Sequence, residues 1–503
     1  MTVELEKVLH KYFGFTSFRK GQKEVVESVL NGKNTLAMLP TGTGKSLCYQ
    51  LPGYVLTGQV VIISPLLSLM QDQVEQMKAM GEKRVVAINS FLTPFEKRQI
   101  LQRLQSYKFI FVSPEMLGTD LIVSKMKQLT ISLLVIDEAH CISQWGYDFR
   151  PDYLKIGDVR RSLGSPLTIA LTATATNEVR QDIIRYLQLE TCEEFVFSVD
   201  RPEISIGIET VGYQEKEERV LELVKKIQGP GIIYFSSKKL AEKLAVRLRD
   251  HGERAMAYHG SLDQEARILI QQQFIHDQLD VVCATSAFGM GINKENVRFI
   301  IHYHMPLQLE SYLQEIGRAG RDGHDSLAIL LYAPGDEQLS MQLAEGELPE
   351  TEQINRLFTV MQMNQLNIEE LYTHEELLST SCGLSETQWR FVASFITSRG
   401  NENSINVKEQ LTNYISSRLQ IKRDKIFKVL AYIHQNECKR CFILRYFGET
   451  SISKPGNCCS YCGLNLATFR KVFPSNDRVS SLFNWKDELT SMLIKRVGET
   501  NET

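Results

Sequence analysis

The apolar residues between Thr35 and Asp200 come in short continuous runs, not in alternation, and this pattern restricts the fold more than any other. Thr35-Leu-Ala-Met-Leu39, Val60-Val-Ile-Ile-Ser64, Phe109-Ile-Phe-Val112, Leu133-Leu-Val-Ile136 and Thr168-Ile-Ala-Leu171 are separated by helical patterns. A strand that is apolar on every residue is covered on both faces, which is the condition of a parallel sheet flanked by helices. The same grammar restarts at Gly231-Ile-Ile-Tyr-Phe235, Val281-Val-Cys-Ala284 and Phe299-Ile-Ile-His302. Two α/β domains in tandem are therefore expected, joined near Asp200-Arg-Pro202. Beyond about residue 340 the strand signals fade. Ser385-Glu-Thr-Gln388 reads as a capping box ahead of Trp389, Val392 and Ile396, with Gly400 as the stop.

With 503 residues, 43 % of them hydrophobic, the chain can bury several cores. No apolar run approaches the ~20 residues of a membrane span, and the N-terminus has no secretory h-region, so a cytoplasmic protein is expected. The formal net charge of −3 excludes a wholly electrostatic coat on nucleic acid. A basic stretch stands out locally: Arg418, Lys422, Arg423, Lys425, Lys428, Lys439, Arg440 and Arg445 suit either a basic groove or a solvated helix face.

Pro40-Thr-Gly-Thr-Gly-Lys-Ser46 follows an apolar strand and opens a helical pattern. Glycines let backbone amides approach phosphate oxygens, and a helix N-terminus adds positive potential. Thr41, Gly42, Thr43 and Gly44 are the expected cradle, Lys45 the side chain for the β and γ phosphates, and Ser46 a magnesium ligand. The longer form of this motif wants Gly or Ala where Leu39 stands. Asp137-Glu138 ends another run, where open α/β sheets bind ligands. Asp137 suits magnesium and Glu138 an attacking water. Directly after it come Trp145, Tyr147, Phe149 and Arg150, side chains able to stack on bases at ~1–3 kcal/mol each. Ser311-Tyr-Leu-Gln-Glu-Ile-Gly-Arg-Ala-Gly-Arg321 closes the second α/β region. Arg318 and Arg321, three apart, are expected on one helix face, aimed at a cleft between the domains.

Five of the ten cysteines fall between 438 and 462, a metal pattern in an intracellular chain. Plain Cys-x2-Cys spacing selects Cys438, Cys441, Cys459 and Cys462 for a tetrahedral zinc site.

Taken together, these residues resemble the RecQ family of superfamily 2 DNA helicases, over roughly 5 to 335 and 425 to 463. The family's adenine motif appears as Phe13-Gly-Phe-Thr-Ser-Phe-Arg-Lys-Gly-Gln22. Its coupling motif is Thr172-Ala-Thr174, and a segment linking nucleotide to DNA is Ala287-Phe-Gly-Met-Gly-Ile-Asn293. The resemblance implies that Gln22 reads adenine, Phe15 stacks on it and Arg19 assists. It further implies that Arg318 and Arg321 are arginine fingers, and that Trp145, Phe149 and Arg150 contact DNA. For the zinc it implies Cys438, Cys458, Cys459 and Cys462, with Tyr446 to Glu449 as a family signature. The implied protein is an ATP- and magnesium-dependent 3′–5′ helicase of a short bacterial type, working near the nucleoid in repair, recombination and fork processing. Its implied partners are single-stranded and tailed or forked duplex DNA, with single-strand-binding and recombination proteins besides. RNA-dependent ATPase activity and double-strand translocation without unwinding are the alternatives.

The expected division is two RecA-like domains at 1–199 and 200–340, a helical, winged-helix-like module at 341–425, a zinc module at 426–465 and a short tail at 466–503. Longer members of the family carry a winged helix and an accessory domain after the zinc site. Here only about forty residues follow it, too few for either.

Overall fold

The computed structural model describes residues 4–65, 67–143, 150–289, 294–397, 399–400, 403–450 and 454–471. Each apolar run named above is a strand. The first sheet contains β1 (Asn34–Met38), β2 (Gln59–Ile63), β3 (Val85–Ile88), β4 (Phe109–Val112), β5 (Ile131–Ile136), β6 (Thr168–Thr172) and β7 (Cys192–Val196), in the order β3-β4-β2-β5-β6-β1-β7. The second contains β8 (Ile204–Thr210), β9 (Gly231–Tyr234), β10 (Ala255–Tyr258), β11 (Val281–Ala284), β12 (Phe299–His302) and β13 (Ser326–Tyr332), in the order β10-β11-β9-β12-β13-β8. Every pairing in both sheets is parallel. Helices cover both faces, so residues such as Val61, Ile62, Val135 and Ile136 are fully buried. Parallel strands put all their C-terminal ends on one side, and the loops that leave those ends carry the chemistry.

From Asp336 to Tyr446 every described element is a helix, and no β wing is among them. Ser385 and Gln388 form the expected capping box, and Trp389, Val392 and Ile396 lie in a separate apolar core with Val407, Leu411 and Ile415. The boundary expected at 425/426 is not a break. One helix of 31 residues, Ser404–His434, about 46 Å long at 1.5 Å per residue, runs through it. Its first half packs in the helical core through Val407, Leu411 and Ile415, and its second half in the motor core through Ile426, Val429 and Tyr432. Two apolar stripes on one continuous helix make it a strut between the helical module and the motor.

The first residues of the expected tail also belong elsewhere. The turn Leu466–Phe469 buries Phe469 in the second sheet's core, and Gln228 N–H donates to its carbonyl at 2.7 Å.

Candidate active site

The phosphate loop leaves β1 with its glycines in the left-handed region, Gly42 at φ 86° and Gly44 at φ 76°, where a side chain would be strained. Leu39, the departure from the longer motif, is fully buried in the sheet's core, which fixes the loop's root. Ser46 stands at the N-terminal boundary of the helix Leu47–Val55, its side chain making no capping hydrogen bond. The Lys45 ammonium stands 3.4 Å from the Glu138 carboxylate, joining the ends of β1 and β5.

Asp137 and Glu138 follow β5 directly. Glu138 has φ 46°, ψ 49°, an αL conformation that is uncommon for a residue with a long side chain and costs about 1–3 kcal/mol. The Asp137 N–H donates to the Ile63 carbonyl at 2.9 Å and Tyr153 donates to the Asp137 carbonyl at 3.0 Å. Burial first, and the neighbouring Glu138 second, push Asp137 up to about 6. Burial opposes the charge of Glu138 too, but Lys45 and then His140 outweigh it and hold that carboxyl below its ordinary value. His140 stands 3.4 Å from Glu138 and 2.9 Å from the Thr172 hydroxyl, linking the acidic pair to Thr172-Ala-Thr174.

The second sheet brings two arginines to this loop. The helix Leu309–Ile316 ends before them, so Arg318 and Arg321 do not share a helix face as the spacing suggested. Gly317 ends the helix and Gly320, at φ 62°, turns the chain; both arginines reach the cleft from turns instead. Arg318 is buried and donates to the Gly289 carbonyl; its Nε has no hydrogen-bond partner among the described residues. The stem of Arg321 lies 3.0 Å from where a Cβ on Gly42 would stand. Burial, then Arg318 and Arg201, push Arg321 down to about 9. Three guanidiniums gathered around a cradle of amides favour a polyanion between them.

The adenine-motif residues meet the same loop. Gln22 donates to the carbonyls of Thr43 at 2.7 Å and Gly44 at 3.1 Å, and Arg19 donates to that of Gly42 at 2.6 Å. Arg19 also reaches across the cleft to Glu295 at 3.6 Å. Phe15 keeps 56 % of its surface exposed, an open face for a ring. Trp145 and Phe149 lie outside the described residues, as do Met290 to Asn293. Arg150 donates to the Pro65 carbonyl at 2.7 Å and stands 3.9 Å from Glu115, tying its loop to the ends of β2 and β4.

Cys438, Cys458, Cys459 and Cys462 place their sulfurs within 4.8 Å of one another, and Cys438 Sγ is 3.7 Å from those of both Cys458 and Cys459. A tetrahedron with ~2.3 Å zinc–sulfur bonds has edges of about 3.8 Å, so the set fits zinc. Cys441 is outside it, one turn along the helix Lys439–Tyr446. The cluster is grafted on the second sheet: the Ile206 N–H donates to the Cys458 carbonyl at 3.1 Å, and the Ser460 N–H to the Ile206 carbonyl at 2.9 Å.

In the basic stretch Arg423, Lys428 and Arg445 are exposed, as on a solvated face, while most of the other cations are engaged within the fold. Lys422 pairs with Glu347, Arg423 with Glu345 at 2.6 Å, Lys425 with Glu310 at 3.4 Å and Arg440 with Asp200, while Lys439 donates to the helix-end carbonyls of Tyr432 and Ile433. Lys425 and Arg440 thereby brace the long helix and the zinc segment against the motor. Sequence reasoning missed Arg201, whose guanidinium joins the phosphate loop to the Arg318–Arg321 turn.

Family models match in the same order as the sites: DEAD/DEAH box helicase over 19–183, helicase conserved C-terminal domain over 215–323 and RecQ zinc-binding over 401–463. The chain is 45 % identical over 503 residues to the probable ATP-dependent DNA helicase RecS of Bacillus subtilis, covering 99 % of this chain and all of that one. It is 44 % identical over 335 residues to the ATP-dependent DNA helicase RecQ of Pasteurella multocida, 65 % of this chain but only 52 % of that one. Among solved structures the helicase MrfA bound to DNA, at 19 % identity and TM-score 0.57, covers 67 % of this chain and 52 % of its own, a likeness of fold alone.

Proposed function

The chain belongs to the RecQ family of ATP-dependent DNA helicases, and from that premise we propose that it moves 3′ to 5′ on single-stranded DNA and unwinds tailed or forked duplexes. Repair, recombination and fork processing in a bacterial cytoplasm are the duties proposed, with single-strand-binding and recombination proteins as partners. No helix among the described residues is long and apolar enough to cross a membrane. The observation that carries the reading is the approach of Arg321, from the second sheet, to Gly42 of the first.

In this reading Phe15, Arg19 and Gln22 hold the adenine, and Thr41, Gly42, Thr43 and Gly44 wrap the phosphates. Lys45 neutralises the β and γ oxygens. Ser46 and Asp137 would hold magnesium, which would neutralise phosphate charge when bound. Glu138, kept ionised by Lys45 and His140, orients the attacking water, and Arg318 and Arg321 stabilise charge on the transferring phosphoryl group. Cleft closure and reopening, passed through His140 to Thr172 and through the loop of Trp145, Phe149 and Arg150, would then step the motor along its strand. Cys438, Cys458, Cys459 and Cys462 would hold a structural zinc.

Unwinding of 3′-tailed and 5′-tailed duplexes, with and without ATP, tests the reading. Separation of the 3′-tailed substrate alone, and only with ATP, is expected. Absence of a β wing among the described helices favours one rival, translocation without strand separation; ATP-dependent displacement of a triplex strand with both duplexes intact would support it. ATPase stimulation by RNA equal to that by DNA would support an RNA-dependent ATPase. Glu138→Gln should lower turnover by about 10²–10⁴-fold with ATP affinity within a few fold, read by single-turnover hydrolysis and fluorescent-nucleotide titration.

A further inference from the structure

Arg201 lies in the segment between the two sheets, just before β8 begins at Ile204. A guanidinium has five N–H donors, and here they meet one carboxylate and four carbonyls. Nε donates to Glu203. Nη1 donates to the carbonyls of Thr41 at 2.9 Å and Gly317 at 3.0 Å, and Nη2 to those of Ala319 and Gly320 at 3.0 Å each. Thr41 belongs to the phosphate loop, and the other three carbonyls to the turn that carries Arg318 and Arg321. Thr41 closes the same junction from its own side, its hydroxyl donating to the Gly317 carbonyl at 3.0 Å. A Cβ on Gly317 would fall 2.1 Å from that hydroxyl, so the approach requires glycine there. The backbone around Arg201 is itself held, because Arg440 of the zinc segment donates to the carbonyls of Arg201 at 3.0 Å and Ile204 at 2.5 Å.

We propose that Arg201 is a positioning residue for ATP hydrolysis, setting the distance between the phosphate loop and Arg321 by tying the Thr41 carbonyl to those of Gly317, Ala319 and Gly320. The inference rests on the motor reading given above. Backbone acceptors fix position rather than charge, and each donor of Arg201 is already engaged, so its effect on the phosphates passes through Arg321. A displacement of about 1 Å remote from the reacting atoms can cost about 10²-fold in rate. Lysine, with one nitrogen where arginine has a planar fork, spans fewer of these carbonyls.

The test compares full-length Arg201→Gln, Arg201→Lys and Arg321→Ala proteins. Single-stranded-DNA-stimulated ATPase is measured, along with binding of ADP and of ADP with aluminium fluoride. For Arg201→Gln the turnover number should fall about 10²-fold, ADP affinity should stay within about twofold, and affinity for the transition-state analogue should fall with turnover. Arg201→Lys should recover part of the loss. Adding Arg201→Gln to Arg321→Ala should lower turnover no further, since both act through one guanidinium. Gly317→Ala, whose backbone at φ −65° accepts alanine, pries the same junction from the other side and should reproduce the loss. Wild-type turnover in Arg201→Gln, equal weakening of ADP and analogue, or a loss that adds to that of Arg321→Ala overturns the proposal. If Arg321→Ala itself turns over normally, the motor reading falls and the positioning role falls with it.

Discussion

Alanine at position 321 is expected to lower DNA-stimulated ATP hydrolysis by about 10³-fold or more, with ADP affinity within a few fold of wild type. The residue is half-buried with its Nε enclosed, and burial, Arg318 and Arg201 all oppose its charge. A protein keeps such an arrangement only where a counter-charge repays it, and the amides of Gly42 to Ser46 mark where a triphosphate would lie. An arginine on a transferring γ-phosphate contributes most when charge spreads over the equatorial oxygens, so the loss belongs to the transition state and not to ground-state binding. Arg321→Lys should rescue poorly, because an ammonium cannot contact two oxygens in a plane. Pre-steady-state hydrolysis and ADP titration measure the two quantities separately. A parallel loss of ADP binding would show that Arg321 shapes the loop rather than the chemistry.

The parts legible in the sequence are those whose constraint is local. A strand buried on both faces must be apolar on every residue, so both sheets are visible in the runs beginning at Val60 and Gly231. The phosphate loop is visible because Gly42 and Gly44 need backbone angles that other residues resist. What escaped reading depends on partners far along the chain. Lys422 and Glu347 are 75 residues apart, and nothing in a row of lysines says whether it faces phosphate or glutamate. Arg201 is invisible for a different reason: its acceptors are mostly backbone carbonyls, which every residue has. Arg318 and Arg321, three apart, read as one helix face, but the glycines between and before them end the helix first. The long helix hid the boundary at 425 because two apolar stripes in succession look like two elements until one backbone is seen to carry both.

Cys459→Ser is expected to abolish zinc binding and to lower the thermal midpoint by about 10 °C or more. Cys441→Ser, by contrast, should retain one zinc per chain and near-normal stability. Cys459 is fully buried, its sulfur is 3.7 Å from that of Cys438, and its backbone pairs with Ile206 at the edge of the second sheet. Structural zinc contributes about 10–16 kcal/mol to small zinc-dependent folds, and here the ion would hold together two chain segments that each brace the motor. One, through Arg440, grips Asp200 and the carbonyls of Arg201 and Ile204; the other supplies the carbonyl that receives the Ile206 N–H. Loss of the ion should therefore loosen the segment from Asp200 to Ile204 between the two sheets as well as the module, and DNA-stimulated ATPase should fall with zinc content in a chelator titration while nucleotide binding outlasts it. Metal analysis of Cys441→Ser and Cys458→Ser decides between the ligand sets, since Cys459 belongs to both: zinc lost by the first and retained by the second would sink the assignment. An ATPase indifferent to zinc would separate the segment around Arg201 from the cluster, which the shared contacts of Arg440 argue against.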